Sequence, residues 1–321
     1  MALTKFPNGI QATPFVGGCS DFAGWFGTNV WYVDGDNGSD SQSIGDMDSP
    51  FATIQKAIDS ASAGDTIYVR ALGYGSDASD PDQYAEDLEI PYALNDLKII
   101  GVNSSGTKLP YAGPKIKNST ATTLLSVLAP GVHLENLQFN CTRSSGTYGI
   151  WCQADTSGYT TKAGSVGFTM VNCFIKNGSV TYYGLKIDGG YGSVISNCTF
   201  QGCLKGINLQ GDPTPHSGHT IENCNFKAIN NATITVHIAV SAGSSHDWTI
   251  TNCNFQKATK LITCGAGAGV SGVISFCGFS DGVTAVDAAS TGKIEIPSTT
   301  DNVGVCGCWD GAGAIISTGG S

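Results

Sequence analysis

Hydrophobic and polar residues alternate over short runs through most of this chain, and clusters of Gly, Asn, Ser and Thr separate the runs. That period of two predicts short β-strands with tight turns between them. In the second half one run recurs: Val171-Asn172-Cys173-Phe174-Ile175, Ser196-Asn197-Cys198-Thr199-Phe200, Glu222-Asn223-Cys224-Asn225-Phe226, Thr251-Asn252-Cys253-Asn254-Phe255 and Ser275-Phe276-Cys277-Gly278-Phe279. Successive cysteines lie 25, 26, 29 and 24 residues apart. A fixed phase at that period is the mark of a solenoid whose repeats stack on one another. Within one strand alternate side chains share a face. Stacking therefore aligns Cys173, Cys198, Cys224, Cys253 and Cys277 in one inward file, and the large apolar residues two positions on in a second. The preceding asparagines point the other way or sit at a bend, where stacked amides can bond from rung to rung. Glu135-Asn136-Leu137-Gln138-Phe139 is an earlier copy with leucine in the cysteine place. A β-sandwich would alternate hairpins and has no need of such a period. The prediction is an all-β, single-stranded parallel β-helix.

The first seventy residues read differently. Val30–Val33 predicts a strand, and the run from Asp34 to Pro50 is rich in turn residues. Ser49 or Pro50 then opens a helix over Phe51–Ala61, with Ile54, Ala57, Ile58 and Ala61 on one face. Gly64-Asp65 ends it, and Thr66–Val69 is the next strand. An amphipathic helix here would cap the open end of the stack and mask its apolar interior. Residues 1–28 carry Leu3, Phe6, Ile10, Phe15, Val16, Phe22, Trp25 and Phe26 among prolines and glycines, with no helical or strand period. Such a segment either folds back over the end of the β-helix or is an arm that docks on another chain, and its apolar side chains favour the arm. The organisation is thus an attachment arm (1–28), a capping module (29–70), coils (71–300) and a C-terminal cap (301–321).

Composition narrows the function. Charged residues are 13% of the chain, the net charge is -10, and Arg70 and Arg143 are the only arginines. That excludes a nucleic-acid surface, which needs clustered Lys and Arg, and it speaks against a binder of acidic polysaccharide. Twelve cysteines would suggest disulfides in a short secreted chain. Five of them fall in one inward file, where each acts as a small apolar residue. They read as reduced, implying assembly in a reducing cytoplasm. Met1–Lys5 lacks the basic start and apolar run of an export signal, and no stretch reaches transmembrane length.

Candidate chemistry is sparse. Asp34, Asp36 and Asp40 space oxygen ligands as a calcium loop does, but Gly45 stands where an EF-hand has its closing glutamate, so the run reads as a turn. Cys306-Gly307-Cys308 is one close pair without the further ligands zinc requires. No cofactor is expected. Glycan hydrolysis needs a paired acid and base. Aligning Gly149–Gln153 with Gly184–Asp188 and Gly206–Gln210 puts Gln153, Asp188 and Gln210 in one column with a single acid. Asp155 and Asp212 fall in another, with Gly190 between them. Two rungs would hold these carboxylates roughly 9.6 Å apart, at the upper limit for an inverting pair. These three aspartates are the catalytic alternative to a chain without a catalytic centre. A lyase would need a base and cations, and Lys162, Lys176, Lys186 and Lys205 form no evident cluster. His216, His219, His237 and His246 read as satisfied or solvent-facing.

Trp31-Tyr32-Val33-Asp34-Gly35, Asn37-Gly38-Ser39-Asp40, Ser49-Pro50-Phe51-Ala52-Thr53-Ile54-Gln55-Lys56-Ala57-Ile58 and Ala63-Gly64-Asp65-Thr66-Ile67-Tyr68-Val69 together resemble the opening module of the right-handed parallel β-helix proteins of the pectate-lyase-like superfamily. Leu97–Val102 and Gly131–Phe139 resemble that superfamily's ordinary rungs. The resemblance implies a right-handed coil. It does not imply lyase activity, since the fold also serves hydrolases, epimerases, phage tailspikes and inert structural proteins. Leu3-Thr4-Lys5-Phe6-Pro7-Asn8-Gly9 resembles the start of bacteriophage virion proteins. The expectation is a structural virion protein: a head decoration, head fibre or tail-associated β-helix, trimeric and held by its arm to other virion proteins. It would contact host surface glycans without membrane insertion. The alternatives are a tailspike-type polysaccharide depolymerase and a bacterial carbohydrate-active enzyme.

Overall fold

The computed structural model describes residues 29–72, 82–102, 113–117, 123–141, 148–155, 160–177, 183–210, 216–227, 236–240, 245–256, 260–264, 270–279, 286–287, 294–295, 302–309 and 315–316. The predicted anchoring residues Leu3, Phe6, Ile10, Phe15, Phe22 and Trp25 lie outside them. Each rung runs through three sheets, here called sheets 1, 2 and 3. In one rung these are His133–Glu135, Gln138–Cys141 and Tyr148–Cys152, after which Thr169–Val171 returns to sheet 1 beside His133–Glu135. Among the described residues the sheets hold 12, 10 and 9 strands, parallel apart from a terminal antiparallel pair of Cys308–Trp309 with Ile315–Ile316. No helix among them is long and apolar enough to cross a membrane.

The recurring phrase is a corner between two strands, which corrects its reading as one strand. Asn136, Asn172, Asn197, Asn223 and Asn252 have φ between 53° and 57°, the left-handed region that Asn tolerates better than most residues. Phe276 takes the same conformation at φ 53°. Five positions before the five asparagines stand Gly131, Gly167, Gly192, Gly218 and Asp247, also left-handed. Each sheet 1 strand is therefore bracketed by two bends at constant spacing, which keeps its register fixed from rung to rung. The bends are tied by their own main-chain N–H groups. Asn172, Asn197, Asn223 and Asn252 donate to the carbonyls of Ser196, Glu222, Thr251 and Ser275 on the next rung, each at 3.1 Å. Amide-to-amide contacts join rungs elsewhere, from Asn254 Nδ2 to Asn225 Oδ1 at 3.4 Å and from Asn140 Nδ2 to Gln83 Oε1 at 2.9 Å.

The same corner explains the cysteines. Val171, Ser196, Glu222, Thr251 and Ser275 each accept a second bond from the thiol two residues on, at 3.2 to 3.3 Å. A cysteine is small enough for the corner and still supplies a weak donor to the carbonyl's second lone pair. All five predicted thiols are buried and unbridged. Cys308 adds a sixth, its thiol donating to the Cys306 carbonyl at 3.5 Å, so the Cys306/Cys308 pair divides: Cys308 inward, Cys306 exposed. The second file also forms. Phe200 stacks on Phe226 at 5.1 Å, Phe226 on Phe255 at 4.8 Å, and Phe255 on Phe279 at 5.3 Å, near the rung spacing itself. Sheet 3 accommodates these rings with glycine. A Cβ on Gly206 would stand 3.0 Å from the Phe226 ring and 2.6 Å from the His237 carbonyl.

The capping helix spans Ile54–Ser60, shorter than predicted, with Thr53 as N-cap. Phe51 is not helical because it bridges to Val33, with its N–H on the Tyr32 carbonyl. Two carboxylates satisfy the opening N–H groups: Asp40 accepts from Ala52 and Thr53, and Glu86 from Ile54 and Gln55. Asp65 closes the module, accepting from Ser62 N, Trp31 Nε1 and Asn29 N. Ile54, Ala57 and Ile58 are buried over the first rungs, as a cap requires.

Candidate functional site

Sheet 3 carries the most chemistry on its outer face. Its strands Tyr148–Cys152, Tyr183–Asp188 and Lys205–Gln210 are in register, with Tyr148 beside Tyr183, Tyr183 beside Lys205, Trp151 beside Lys186, and Lys186 beside Asn208. Inward positions are Ile150, Leu185 and Ile207, all fully buried. Strand alternation then turns Trp151, Lys186 and Asn208 outward, with Gln153, Asp188 and Gln210 two positions on. This confirms the predicted Asp188–Gln210 column.

Gly149, Gly184 and Gly206 also face the interior, which breaks the alternation there and leaves Tyr148, Tyr183 and Lys205 partly exposed on the outer face, where with Trp151 they form an aromatic platform over a polar floor. Tyr148 lies 4.9 Å from Trp151 and 5.4 Å from Tyr183 between ring centroids, both pairs tilted. Lys186 Nζ is 4.9 Å from the Tyr148 centroid and 5.0 Å from that of Trp151, within cation–π range. Lys205 Nζ is 5.0 Å from the Tyr183 centroid. The rings and Lys205 are half-buried, whereas Lys186, Asp188 and Asn208 are buried beneath. Trp151 Nε1 donates to Asp188 Oδ2 at 2.5 Å. Lys186 Nζ stands 2.8 Å from Asp188 Oδ1, an ion pair by distance whose angle is not that of a hydrogen bond.

A paired acid and base does not assemble around Asp188. The three strands and Gln153 contain no second carboxylate. Asp155 leaves the rung register, because Ala154 and Ala163 form an antiparallel bridge and Asp155 N donates to the Lys162 carbonyl. Its carboxylate accepts from the Thr161 hydroxyl and N–H and from the Thr160 hydroxyl, which hold it below the usual carboxylate range. Gly190 pairs with His216 on sheet 1, so the expected Asp155–Gly190 alignment fails. Asp212 lies outside the described residues.

The other candidates resolve as structure. Asp34 pairs with Arg70 and accepts from Asn37 Nδ2 and Asp36 N, while Asp40 caps the helix, so these carboxylates serve turn and cap. Among the described residues no group of three or more His, Cys, Asp or Glu is placed to hold a metal. His216, His219 and His237 are buried, correcting any solvent-facing reading for them. Burial pulls His216 down to about 3 and His219 to about 4, keeping both neutral. His219 Nδ1 accepts from Ser193 N at 3.3 Å. Tyr148, Trp151 and Tyr183 were not singled out from the sequence. Trp151 lies within the three-rung alignment, and Tyr148 and Tyr183 stand immediately before its first residues, Gly149 and Gly184.

No curated protein sequence matches this chain. Among solved structures it is similar to the pectin methylesterase from Aspergillus niger, with 17% identity, TM-score 0.46, and coverage of 77% of this chain and 84% of that one. It is similar also to the GH136 lacto-N-biosidase from Eubacterium ramulus (11% identity, TM-score 0.49, 88% of this chain and 56% of that one). A third is ORF18 of Geobacillus virus E2 (13% identity, TM-score 0.42, 88% of this chain and 61% of that one). Residues 96–271 match the family model described as right handed beta helix region, and since that is more than half of the chain, the protein belongs to that family.

Proposed function

We propose that this protein is a structural β-helix of a bacteriophage particle that contacts host surface glycans on the outer face of sheet 3 without cleaving them. The observation that carries the non-cleaving part is the state of Asp188. It is the sole acid of the platform strands, it is buried, and both its oxygens face committed partners, Trp151 and Lys186. Hydrolysis needs a second carboxyl group and an acid free to give up its proton. The half-buried rings suit a sugar instead, because aromatic faces accept the C–H faces of a pyranose.

The ten described free cysteines fit folding in a reducing cytoplasm. Residues 1–28, with their aperiodic apolar side chains, would hold the β-helix to other virion proteins, and a trimer would multiply that attachment. The test is to incubate the protein with a panel of bacterial surface polysaccharides and measure both retention and release of oligosaccharides. Retention without release is the expected result. Release abolished by Asp188→Asn, Asp155→Asn or Asp212→Asn would replace this reading with a depolymerase.

A further inference from the structure

Lys205 differs from the ion-paired cations of the coil. Arg70 is paired with Asp34, Lys115 with Asp82, and Lys186 with Asp188. The Lys205 ammonium lies 5.0 Å from the centre of the Tyr183 ring, and no carboxylate pairs with it among the described residues. It follows Tyr148 and Tyr183 in one outward column, one rung of roughly 4.8 Å beyond the second tyrosine, and Val236 and Lys260 continue that column on the next two rungs. The side chain is half-buried, so it keeps contact with solvent.

Resting on the glycan-platform reading, we propose that the sheet 3 face selects glycans bearing an anionic substituent, a carboxylate, sulfate or phosphate, and that Lys205 is the residue that reads it. A sugar ring seated on Tyr148 and Tyr183 would direct a substituent along the coil axis to the ammonium. The charge of the whole chain, -10, opposes this at long range. Distance decides between the two effects. At physiological ionic strength charges beyond roughly 8 Å are largely screened, whereas a contact ion pair lies well inside that length. The nearest acid of the platform strands, Asp188, is already neutralised by Lys186. Among the described residues of the platform strands Lys205 is therefore a positive charge on an acidic protein, and the diffuse negative charge slows approach without cancelling the contact.

The experiment uses the full chain and three oligosaccharides of matched length: neutral, uronate-bearing and sulfated. Wild type should bind at least one anionic probe about ten-fold or more tighter than the neutral one, as expected for a charge-assisted bond. The ratio should shrink as salt rises. Lys205→Gln should bring the ratio close to one, and Lys205→Arg should retain it. Comparing the uronate and sulfate probes shows which anion the site prefers. Equal binding of all three by wild type, or an undiminished ratio in Lys205→Gln, overturns the role of Lys205 while the platform stands. Loss of all binding in wild type overturns the platform itself, and the Lys205 proposal with it.

Discussion

Trp151 and Asp188, on adjacent rungs of sheet 3, are joined by a 2.5 Å hydrogen bond from indole to carboxylate. With Lys186 on the other oxygen, the carboxylate is a buried structural partner. Removing one member of a buried pair leaves an uncompensated charge, at a cost of about 3–5 kcal/mol. Asp188→Ala should therefore lower stability by about that amount in urea unfolding. A loss below about 1 kcal/mol, the range of solvated pairs, would mean that Asp188 is free for other chemistry.

The left-handed corner makes a second prediction. Asn223 sits at φ 55° and its side chain is exposed, so little packing is at stake. Asn223→Ala should cost about 1–2 kcal/mol through backbone strain alone. Asn223→Gly should be much closer to wild type, because glycine takes this conformation freely. Equal losses in both variants would contradict the corner's role.

The thiol file gives a third. In native protein a thiol reagent should modify exposed Cys306 well before Cys173, Cys198, Cys224, Cys253 or Cys277, as read by peptide mass spectrometry. Rapid labelling of all five would show the interior to be open. Cys224→Asp buries an unpaired charge at a fully enclosed position and should be severely destabilising.

The buried histidines set a pH dependence. His216 and His219 are held at about 3 and about 4, below the ordinary 6.5, so the unfolded chain takes up protons through a range where the folded one does not. Stability should fall as pH drops from about 6.5 toward 4, by about 1.4 kcal/mol per unit for each histidine. Asp65 and Asp34 act lower down. Burial raises Asp65, but bonds from Ser62, Trp31 and Asn29 outweigh it and leave the group below its usual range. Burial likewise opposes the lowering of Asp34 by Asn37 and Arg70. Their contributions are lost only as pH falls below about 4, near the ordinary aspartate value. Urea midpoints that stay flat between pH 6.5 and 4.5 would contradict the histidine assignment.

Much of the coil was legible because the same residue returns at the same phase: the Cys173–Cys277 file and the phenylalanine stack follow from spacing alone. The corner was half legible. Asparagine signals a left-handed bend, but the flanking apolar residues mimic one continuous strand. The helix start was obscured by Ser49-Pro50, a good opening signal overridden when Phe51 joined the Val33 bridge. Asp155 was misplaced because the antiparallel bridge between Ala154 and Ala163 takes it out of the rung, and alignment by period cannot see such a detour. The platform was missed because Tyr148, Tyr183 and Lys205 stand one position before Gly149, Gly184 and Gly206, where the runs aligned for carboxylates begin.

The proposal that residues 1–28 are an attachment arm is testable by deletion. Its apolar side chains gain about 25 cal/mol per Å² on burial, against an ordering cost of roughly 1–2 kcal/mol per residue, so docking needs most of them covered. Removing residues 1–28 should leave a soluble β-helix that no longer joins particles. Normal incorporation of the truncated chain, or its failure to fold, would make the segment part of the cap instead.

The central claim, a structural virion protein, is tested most directly by quantitative mass spectrometry of purified phage particles produced with this gene. The account predicts the full chain in the particle at a fixed copy number relative to the major capsid protein. Its absence from purified particles, with the protein recovered only free in the lysate, would contradict the account.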